Sequence, residues 1–502
     1  MDHALESNPL HFVDLLVILI YLAASTGVGA FFHKGQKDIH TYFVGNREVS
    51  WPLLLVSIVA TETSTVTFLS LPGLAFNREG GNITFLQLSF GYLFGRILIS
   101  ALILPGYFQG QYISAYESLR VKFDGRVQRA ASFLFMLTRT IADGLRLFLT
   151  ALLLQQFTQW NMPTSILVMG IITLVYTYLG GMQAVLWTDC IQFLIYTLGA
   201  MVAGWILVGY LPGGFEELFC AGCAAGKFTL FNLSTDPTVP YTLWAGILGG
   251  AFFSMASHGA DQIMVQRYLC AKNLTHARVA LITSGLVVIL QFVLFLFIGV
   301  GLYLLAQSGS WNLPIDLRND QVFGRFIVEK LPVGLVGLVI AAVLAAAMST
   351  LSSSLNSSAS AAIADFYKPL RPEKSDIDYL EASRLFTLAF GFAQIAVALL
   401  AWQIDSPRSI IDQVLSIAGL TTGMVLGLFL LGTLKRKLSS NAALFGLLVG
   451  FLTVMTVYLP GTLGNPLVAW PWYAPIGTLS TVGTTLALNY LFAKGLLEKG
   501  SG

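Results

Sequence analysis

The sequence predicts an all-α membrane protein, and three observations carry that prediction. Hydrophobic residues make up 55% of the 502 residues and charged residues only 11%, whereas soluble domains carry about 25% charged residues. The mean hydropathy is +0.73. Apolar runs long enough to cross a bilayer, which takes about 20 residues, recur along the whole chain. No stretch has the composition of a separate soluble domain, so we expect one transmembrane domain over residues 1–502.

About thirteen transmembrane helices are expected, because thirteen apolar runs follow one another with short polar turns between them. The first run is expected to stay in the membrane as a leading helix, since the N-terminal residues lack the basic region of a cleaved signal peptide. The runs cover residues 11–32, 52–76, 82–108, 130–157, 163–180, 187–211, 241–260, 279–307, 333–363, 385–404, 410–434, 441–459 and 472–494.

Lysine and arginine residues predict the orientation, because cytoplasmic loops carry an excess of them. Of the 28 such residues, three lie inside runs and six in one set of loops, which leaves nineteen in the opposite set. The larger set, which includes Arg267, places the N-terminus outside and the C-terminus in the cytoplasm of a multi-pass cell-membrane protein. The three inside runs are Arg96, Arg139 and Arg146, and the six are Arg78, Lys227, Arg318, Arg325, Lys330 and Arg408.

Two runs are expected to be broken helices. The second run is polar from Thr61 to Thr67 and then reads Pro-Gly, while the seventh contains Gly249, Gly250 and Gly259. The two runs lie five spans apart, so they cross the membrane in opposite directions. Interrupted helices at matching places in two halves are typical of an inverted repeat whose binding site lies at the breaks. For the second run, the alternative is a kink healed by its own threonine side chains.

The segment 341–361 predicts the other side of that site. Its sequence, AAVLAAAMSTLSSSLNSSASA, places small methyl and hydroxyl groups on one helix face. Small side chains let another backbone come close, and closely spaced neutral oxygens suit a dehydrated monovalent cation. The carbonyl groups of Ala60 and Thr63 would complete a sodium site with Ser349. The alternative is a tightly packed helix whose hydroxyls bond back to the preceding turn. The stripe contains Ala342, Ala345, Ala346, Ser349, Ser352, Ser353, Asn356 and Ser360.

Several charged residues fall inside the runs, where a central charge costs about 2.5–3.5 kcal/mol on insertion scales. Asp189 is either an interfacial cap or an anionic ligand for a second sodium ion. Asp143 can reach Arg139 and Arg146 on one helix face. These three residues form either a self-neutralising triad or a site where an arginine meets an anionic substrate. Glu62, in the broken run, could pair with one of these two arginines.

Composition and motifs exclude several classes of protein. The net charge of +2 and the lack of a basic cluster argue against nucleic-acid binding. No phosphate-binding loop, zinc-protease motif or nucleophile elbow occurs, so an enzyme is not expected. Cys220 and Cys223 form a C-A-G-C in a polar loop that the predicted orientation places outside. A local disulfide and two free thiols are equally compatible with that sequence.

The sequence resembles the sodium:solute symporter family over nearly its whole length. The resemblance implies a LeuT-like, five-plus-five inverted repeat, with repeats at 51–211 and 241–434. It also implies the leading helix at 11–32 and two trailing helices within 441–494. The segments that carry the resemblance are YFVGNREVSW (42–51), AYESLRVKFDGRVQR (115–129), YTYLGGMQAVLWTDCIQ (176–192), ADQIMVQRYLCAKNLTHAR (260–278) and AAAMSTLSSSLNSSAS (345–360).

The resemblance also implies residues for each site. Ala142 stands where the sialic acid carriers of the family have a carboxylate-binding arginine, with Arg139 one turn away. The general sodium site aligns with Ala60, Thr63, Ala346, Ser349 and Thr350. The second sodium site of some members aligns with Asp189, Ser349, Ser352 and Ser353, and their substrate contacts align with Ser64, Thr67 and Phe68.

The function implied by the resemblance is sodium-driven symport by alternating access, with one or two sodium ions carried per cycle. We expect the substrate to be a small organic anion, such as a sialic-acid-like sugar acid or a carboxylate, because arginines lie within the membrane. Arg139 and Arg146 are therefore further candidate substrate residues, and Glu62, in the broken run, is another. A neutral sugar or an amino acid such as proline is the alternative. An ion channel is a more distant one, since it would need a continuous pore.

Overall fold

The computed structural model describes residues 11–33, 39–45, 47–110, 112–179, 182–314, 317–404 and 410–493. Within these residues the regular elements are helices, and one isolated β-bridge joins Val49 to Ala271. The fold is therefore all-α. The α-helices are α1 (Phe12–His33), α2 (Ile39–Val44), α3 (Trp51–Glu62), α4 (Thr65–Phe76), α5 (Leu86–Leu102), α6 (Leu104–Tyr107), α7 (Glu117–Lys122), α8 (Gly125–Thr158), α9 (Met162–Leu179), α10 (Met182–Gly209), α11 (Gly214–Ala224), α12 (Gly250–Gly259), α13 (Gln262–Leu269), α14 (Leu274–Gln307), α15 (Asn319–Lys330), α16 (Leu335–Ala362), α17 (Lys368–Leu370), α18 (Asp376–Gln403), α19 (Ile410–Thr433), α20 (Ser440–Thr462) and α21 (Tyr473–Ala493).

The helices are those of a multi-pass membrane protein. Among the described residues, six helices are long and apolar enough to cross a bilayer, and a seventh span results if the bent pair α3–α4 counts as one. Each of the thirteen predicted runs coincides with a helix or a broken helix. Several of these helices are shorter or more polar than the six, so the number thirteen and the direction of the spans stay predictions.

The second run is broken where its sequence becomes polar. α3 and α4 meet at an angle of 60°, and the two residues between them, Thr63 and Ser64, have extended backbones with ψ of 97° and 177°. Threonine and serine are weaker helix formers than alanine or leucine. The sequence T-E-T-S-T also offers no apolar side chain whose burial would hold a continuous helix. The predicted break in this run is confirmed.

The seventh run is broken beyond its first two glycines, between α12 and α13. Asp261 is the N-cap of α13, and its carboxylate accepts the N–H of Ile263 at 2.9 Å. The predicted run ended at residue 260, because the polar segment that follows does not resemble a span. The broken span in fact continues, as α13, to Leu269. The assignment of Arg267 to a loop is therefore wrong, since it lies in α13 with 1% of its surface exposed.

α16, which contains the stripe of small residues, lies at the centre of the molecule. In the most apolar stretch of this span, 89% of the residues are buried. Its first turn is attached to the leading helix, because the Asp14 carboxylate accepts the N–H groups of Gly334 and Gly337 at 2.7 Å each. These donors have no partner within the helix, and a carboxylate is favourable at a helix N-terminus. A Cβ atom on Gly337 would lie 2.6 Å from the Asp14 Cα, so the close approach requires glycine there.

The two cysteines of the C-A-G-C segment lie on α11. Both thiols are free, and both Cys220 and Cys223 are exposed. Of the two alternatives that the sequence left open, the structure has two free thiols rather than a disulfide.

Candidate ion and solute site

The first broken helix meets the stripe of α16 at the break itself. The Thr350 hydroxyl donates to the carbonyl oxygen of Thr61 at 3.0 Å and lies 3.3 Å from that of Ala346. Thr61 and Thr350 are 289 residues apart in the chain, and both are buried. The meeting of these two regions, which the sequence predicts, is therefore observed.

The break leaves main-chain oxygens without partners. The N–H of Thr63 still donates to Val59 at 2.9 Å. Across the described ranges, however, no backbone or side-chain donor reaches the carbonyl oxygen of Ala60 or that of Thr63. Leaving a buried polar group unsatisfied costs about 1–3 kcal/mol. A bound cation would offset that cost, and neutral oxygens of this kind are what a monovalent cation needs when it sheds water.

Ser349 stands between this break and a buried carboxylate. Its hydroxyl donates to Oδ1 of Asp189 at 2.6 Å. A hydroxyl has one proton and two lone pairs, so this donation orients the serine and leaves its oxygen able to bind a cation. Ser349 is fully buried, and so is Asp189.

The second oxygen of Asp189 is held by an arginine. Nη2 of Arg267 lies 2.8 Å from Asp189 Oδ2 and 2.7 Å from the Ser353 hydroxyl, and it also donates to the Thr61 hydroxyl. Nε of Arg267 donates to Ser57 at 2.8 Å, and Ser57 donates to Asp189 at 2.5 Å. The interpretation of Asp189 as an interfacial cap is therefore wrong. It belongs to a buried ion pair that joins α10 to α13.

The residues that align with the second sodium site are thus brought together, but around a guanidinium group. Ser353 accepts from Arg267, and Ser349 donates to Asp189. The remaining serine, Ser352, donates only back to the carbonyl of Ser349 at 3.3 Å. At this place the chain supplies its own cation.

A cavity of about 140 Å³ lies beside the break. Both broken helices line it, together with α5, α8, α14, α16 and α19. Phe68 does not line it, because its fully buried ring packs against Phe295 and Phe323 with centroid distances of 5.1 and 5.5 Å. The other predicted substrate residues do line the cavity: Glu62, Ser64, Thr67, Arg139 and Arg146.

Both arginines of α8 are paired with carboxylates. Nη2 of Arg139 lies 2.9 Å from Asp261 and Nη1 lies 3.8 Å from Asp143. Arg146 forms an ion pair with Asp143. Asp143 therefore reaches both arginines, as the spacing predicts. Asp261, from the second break, adds a partner that the spacing did not predict.

Glu62 has a different partner from the one predicted. It pairs with Arg96 of α5, which also donates to Ser284, and not with either arginine of α8. Nε2 of His258 lies 3.4 Å from the same carboxylate oxygen. The arginines and carboxylates named around the cavity thus number three of each. Their fixed charges balance.

Arg146 has a buried donor beside the cavity that remains unused. Nε of Arg146 has no hydrogen-bond partner among the described residues, and neither does Oδ2 of Asp143. A guanidinium group offers five N–H donors in a planar fork. Arg146 can therefore donate to an oxygen of a bound solute without leaving Asp143.

Sequence reasoning missed Ser57, Arg96, Asp261 and Arg267 as parts of the site. Two of them had a local signal. Asp261, two residues after Gly259, is a typical helix start, and Arg96 lies inside an apolar run, which indicates a buried charge but not its partner. Ser57 and Arg267 had no such signal. The partner of Arg267 lies 78 residues away in the chain, and that of Arg96 lies 34 residues away.

Comparison with known proteins agrees with this architecture. A sequence model of the sodium:solute symporter family matches residues 42–450. The sodium/sialic acid symporter SiaT of Proteus mirabilis is 31% identical over 493 residues, which cover 97% of each chain. The sodium-coupled monocarboxylate transporter 2 of Homo sapiens is 29% identical over 472 residues, 93% of this chain and 75% of the relative.

A solved structure gives the same answer for the fold. A Na⁺-coupled sialic acid symporter in a substrate-bound, outward-open state superposes on this chain with a TM-score of 0.87 at 29% identity. The superposition covers 96% of this chain and 98% of that one. Because the family model matches most of its length, this chain belongs to the sodium:solute symporter family.

Proposed function

We propose that this symporter couples sodium to the uptake of a small organic anion, and that the sodium ion binds at the first break. The observation that carries this proposal is the pair of carbonyl groups without partners, those of Ala60 and Thr63, beside the contact between Thr61 and Thr350. A symporter moves its solute without chemical change, so no catalytic residue is assigned.

The proposed sodium ligands are five neutral oxygens. A sodium ion bound by them would hold α3 and α4 against α16, and it would favour the conformation in which these helices meet. A ligand shifts such an equilibrium only by its differential affinity for the two states. Sodium must therefore bind this conformation more tightly than one in which the break has left α16. The ligands are the carbonyls of Ala60, Thr63 and Ala346 and the hydroxyls of Ser349 and Thr350.

At the second site, Arg267 and a second sodium ion compete for Asp189. With Arg267 in place Asp189 is already neutralised, and an added sodium would leave a buried charge without a counter-charge, which is strongly unfavourable. Arg267 lies on α13, the short half of the second broken helix. When α13 moves away, Asp189 and the serines of α16 become available to sodium. The number of coupled ions then depends on whether Arg267 leaves Asp189 during the cycle.

The substrate is proposed to be a carboxylate, such as a sialic-acid-like sugar acid. Arg139 and Arg146 flank Ala142 by about one turn on either side, and Arg146 has an unused Nε. Arginine forks match the geometry of carboxylate oxygens. The relatives named above are a sialic acid symporter and a monocarboxylate transporter, and both names denote carboxylates.

We also propose thirteen spans, with the N-terminus outside and the C-terminus in the cytoplasm. The first repeat would occupy 51–211 and the second 241–434, preceded by a leading helix and followed by two trailing helices. The pairs α3–α4 and α12–α13 are the matching broken helices of the two repeats. Both pairs line the same cavity, which supports this division.

The sodium site is tested by replacing one hydroxyl and measuring uptake in proteoliposomes. Ser349→Ala is expected to raise the half-saturating sodium concentration at least tenfold or to abolish sodium dependence. Ser358→Ala is the matched control, because Ser358 lies on the same helix, is buried, and has a hydroxyl without a partner among the described residues. Equal sodium dependence in the two variants would reject the site.

The substrate class is tested by competition for sodium-dependent uptake. We expect sugar acids and carboxylates to compete, and Arg146→Gln to raise their KM at least tenfold. Competition by neutral sugars or by proline alone, with no effect of Arg146→Gln, would favour the alternative. The balanced charges around the cavity would then be the reason that a solute without net charge fits.

A further inference from the structure

A lysine outside the membrane-spanning segments is attached to the far end of the first broken helix. Lys227 follows α11 in the connection that leads to α12. The residue is 3% exposed. Its backbone is fixed on both sides, because its N–H donates to Gly222 at 2.9 Å and its carbonyl accepts the N–H of Ile83 at 3.2 Å. The position of the amino group is therefore set by the fold.

The Lys227 ammonium group caps the C-terminus of α4. Nζ donates to the carbonyl oxygens of Ala75, Phe76 and Asn77 at 3.1, 3.3 and 2.8 Å. The last carbonyls of a helix have no partner within the helix, and a cation there is favourable with respect to the helix dipole. The same nitrogen lies 3.8 Å from the ring centroid of Tyr303 in α14. A cation over an aromatic face is attracted to it.

This ammonium group has no carboxylate partner among the described residues. Glu79 follows α4 and Glu217 belongs to α11, but neither forms an ion pair with it. Of the titratable groups on the elements packed around it, Tyr303 faces the ammonium group. Burial alone lowers the pKa of Lys227 to about 8. The positive charge is therefore held by carbonyl dipoles and a ring.

We propose that Lys227 is a positioning residue for transport, whose ammonium group locks α4 to α14 and to the segment after α11. α4 is 12 residues long, about 18 Å at 1.5 Å per residue. Its other end begins at the break, and it contributes Val66 and Thr67 to the cavity, directly after its N-cap Ser64. α4 is continuous through Pro72, so a lock at one end constrains the residues at the other. Loss of the proton removes the charge and one donor, so α4 becomes free to shift.

The test uses Lys227→Met, which keeps the length of the side chain without its charge, and Lys227→Arg, which keeps the charge at every pH used. Lys330→Met is the matched control, since Nζ of Lys330 also lies over an aromatic ring, 5.7 Å from that of the exposed Tyr210. Each protein is reconstituted, and the half-saturating sodium concentration for uptake is measured at external pH 6.5 to 9.5. Elution as a single species from a sizing column shows that each variant is folded.

In the wild type and in Lys330→Met, the half-saturating sodium concentration should rise about tenfold as the pH passes through 8. A tenfold loss of sodium affinity corresponds to about 1.4 kcal/mol, which is close to the contribution of one hydrogen bond to a charged group. Lys227→Met should show the high value at every pH, and Lys227→Arg the low value at every pH. An unchanged pH profile in Lys227→Met would overturn the inference. Since it rests on the proposed sodium site, Ser349→Ala is run beside it. Retained sodium dependence there would reject the site itself.

Discussion

Removal of the Arg267 guanidinium group tests whether the chain supplies the counter-ion of Asp189. In Arg267→Gln the Asp189 carboxylate would remain fully buried with hydroxyl partners only. Removing one partner of a buried ion pair costs about 3–5 kcal/mol, because the other charge is left uncompensated. A sodium ion at Asp189 would replace the lost positive charge. We therefore expect this variant to be unstable without sodium and to recover most of its stability in sodium.

The size of the recovery follows from linkage. An ion that binds only the folded protein adds about 2.7 kcal/mol of stability at a concentration one hundred times its dissociation constant. The wild type is expected to gain this from the proposed site at the first break. Arg267→Gln gains from two sites, so its total gain is about 5.4 kcal/mol if the two affinities are similar. The sodium effect on stability should therefore be roughly twice as large in the variant.

The assay is thermal unfolding in detergent, with sodium replaced by choline at constant ionic strength. The control is the double variant Arg267→Gln with Asp189→Asn. It removes both charges and leaves no carboxylate to bind a second ion, so its sodium gain should return to that of the wild type. Replacing both partners of a buried pair is often nearly neutral, which keeps the double variant measurable.

Two results would refute this reasoning. A sodium gain in Arg267→Gln no larger than in the wild type would show that Asp189 does not bind sodium even when Arg267 is absent. An equal and enlarged gain in the double variant would place the extra ion elsewhere. Either result would remove Asp189 from the set of sodium ligands.

Three further predictions concern stability and substrate affinity. Asp14→Asn should lower the free energy of unfolding by about 1 kcal/mol, since it weakens the cap of α16; a thermal midpoint equal to that of the wild type would contradict this. Phe68→Leu should cost up to about 1.5 kcal/mol of stability and leave KM within twofold, because the ring packs away from the cavity. A KM raised tenfold would show that it contacts substrate. Arg146→Lys keeps the charge but loses the planar fork, so KM for a carboxylate should rise about tenfold in uptake assays, and an unchanged KM would oppose a direct contact.

The break and the stripe could be predicted because each depends on the residue types within one short segment. Five polar residues in a row, Thr61 to Thr65, cannot be held as buried helix by apolar packing. The stripe repeats at helical spacing within 21 residues, so its face is visible without knowing its partner. The contact between the break and the stripe could also be expected, because freed carbonyl oxygens and small hydroxyl groups both suit a dehydrated monovalent cation.

The ion pairs could not be predicted in the same way, because each joins segments that are far apart in sequence. From the sequence Arg267 resembles a loop residue, because the polar residues in and around α13 interrupt the apolar pattern expected of a transmembrane helix. Only the three-dimensional arrangement shows that it lies against Asp189 of α10. Asp143 and Arg146 are the exception that fits this explanation. They are three residues apart on one helix, and their pairing was predicted correctly.

The pairing of the buried charges also bears on how sodium and an anion are coupled. Arg96, Arg139, Arg146 and Arg267 each face a carboxylate, so the charges in these pairs around the cavity and at Asp189 balance before anything binds. Sodium alone then adds an uncompensated positive charge, and an organic anion alone adds a negative one. Two opposite unit charges about 10 Å apart at an effective dielectric constant of about 20 attract by about 1.7 kcal/mol, which is nearly twentyfold in affinity. At such a separation each ligand is expected to favour the binding of the other, because the doubly loaded carrier restores the neutrality that a single ligand would break.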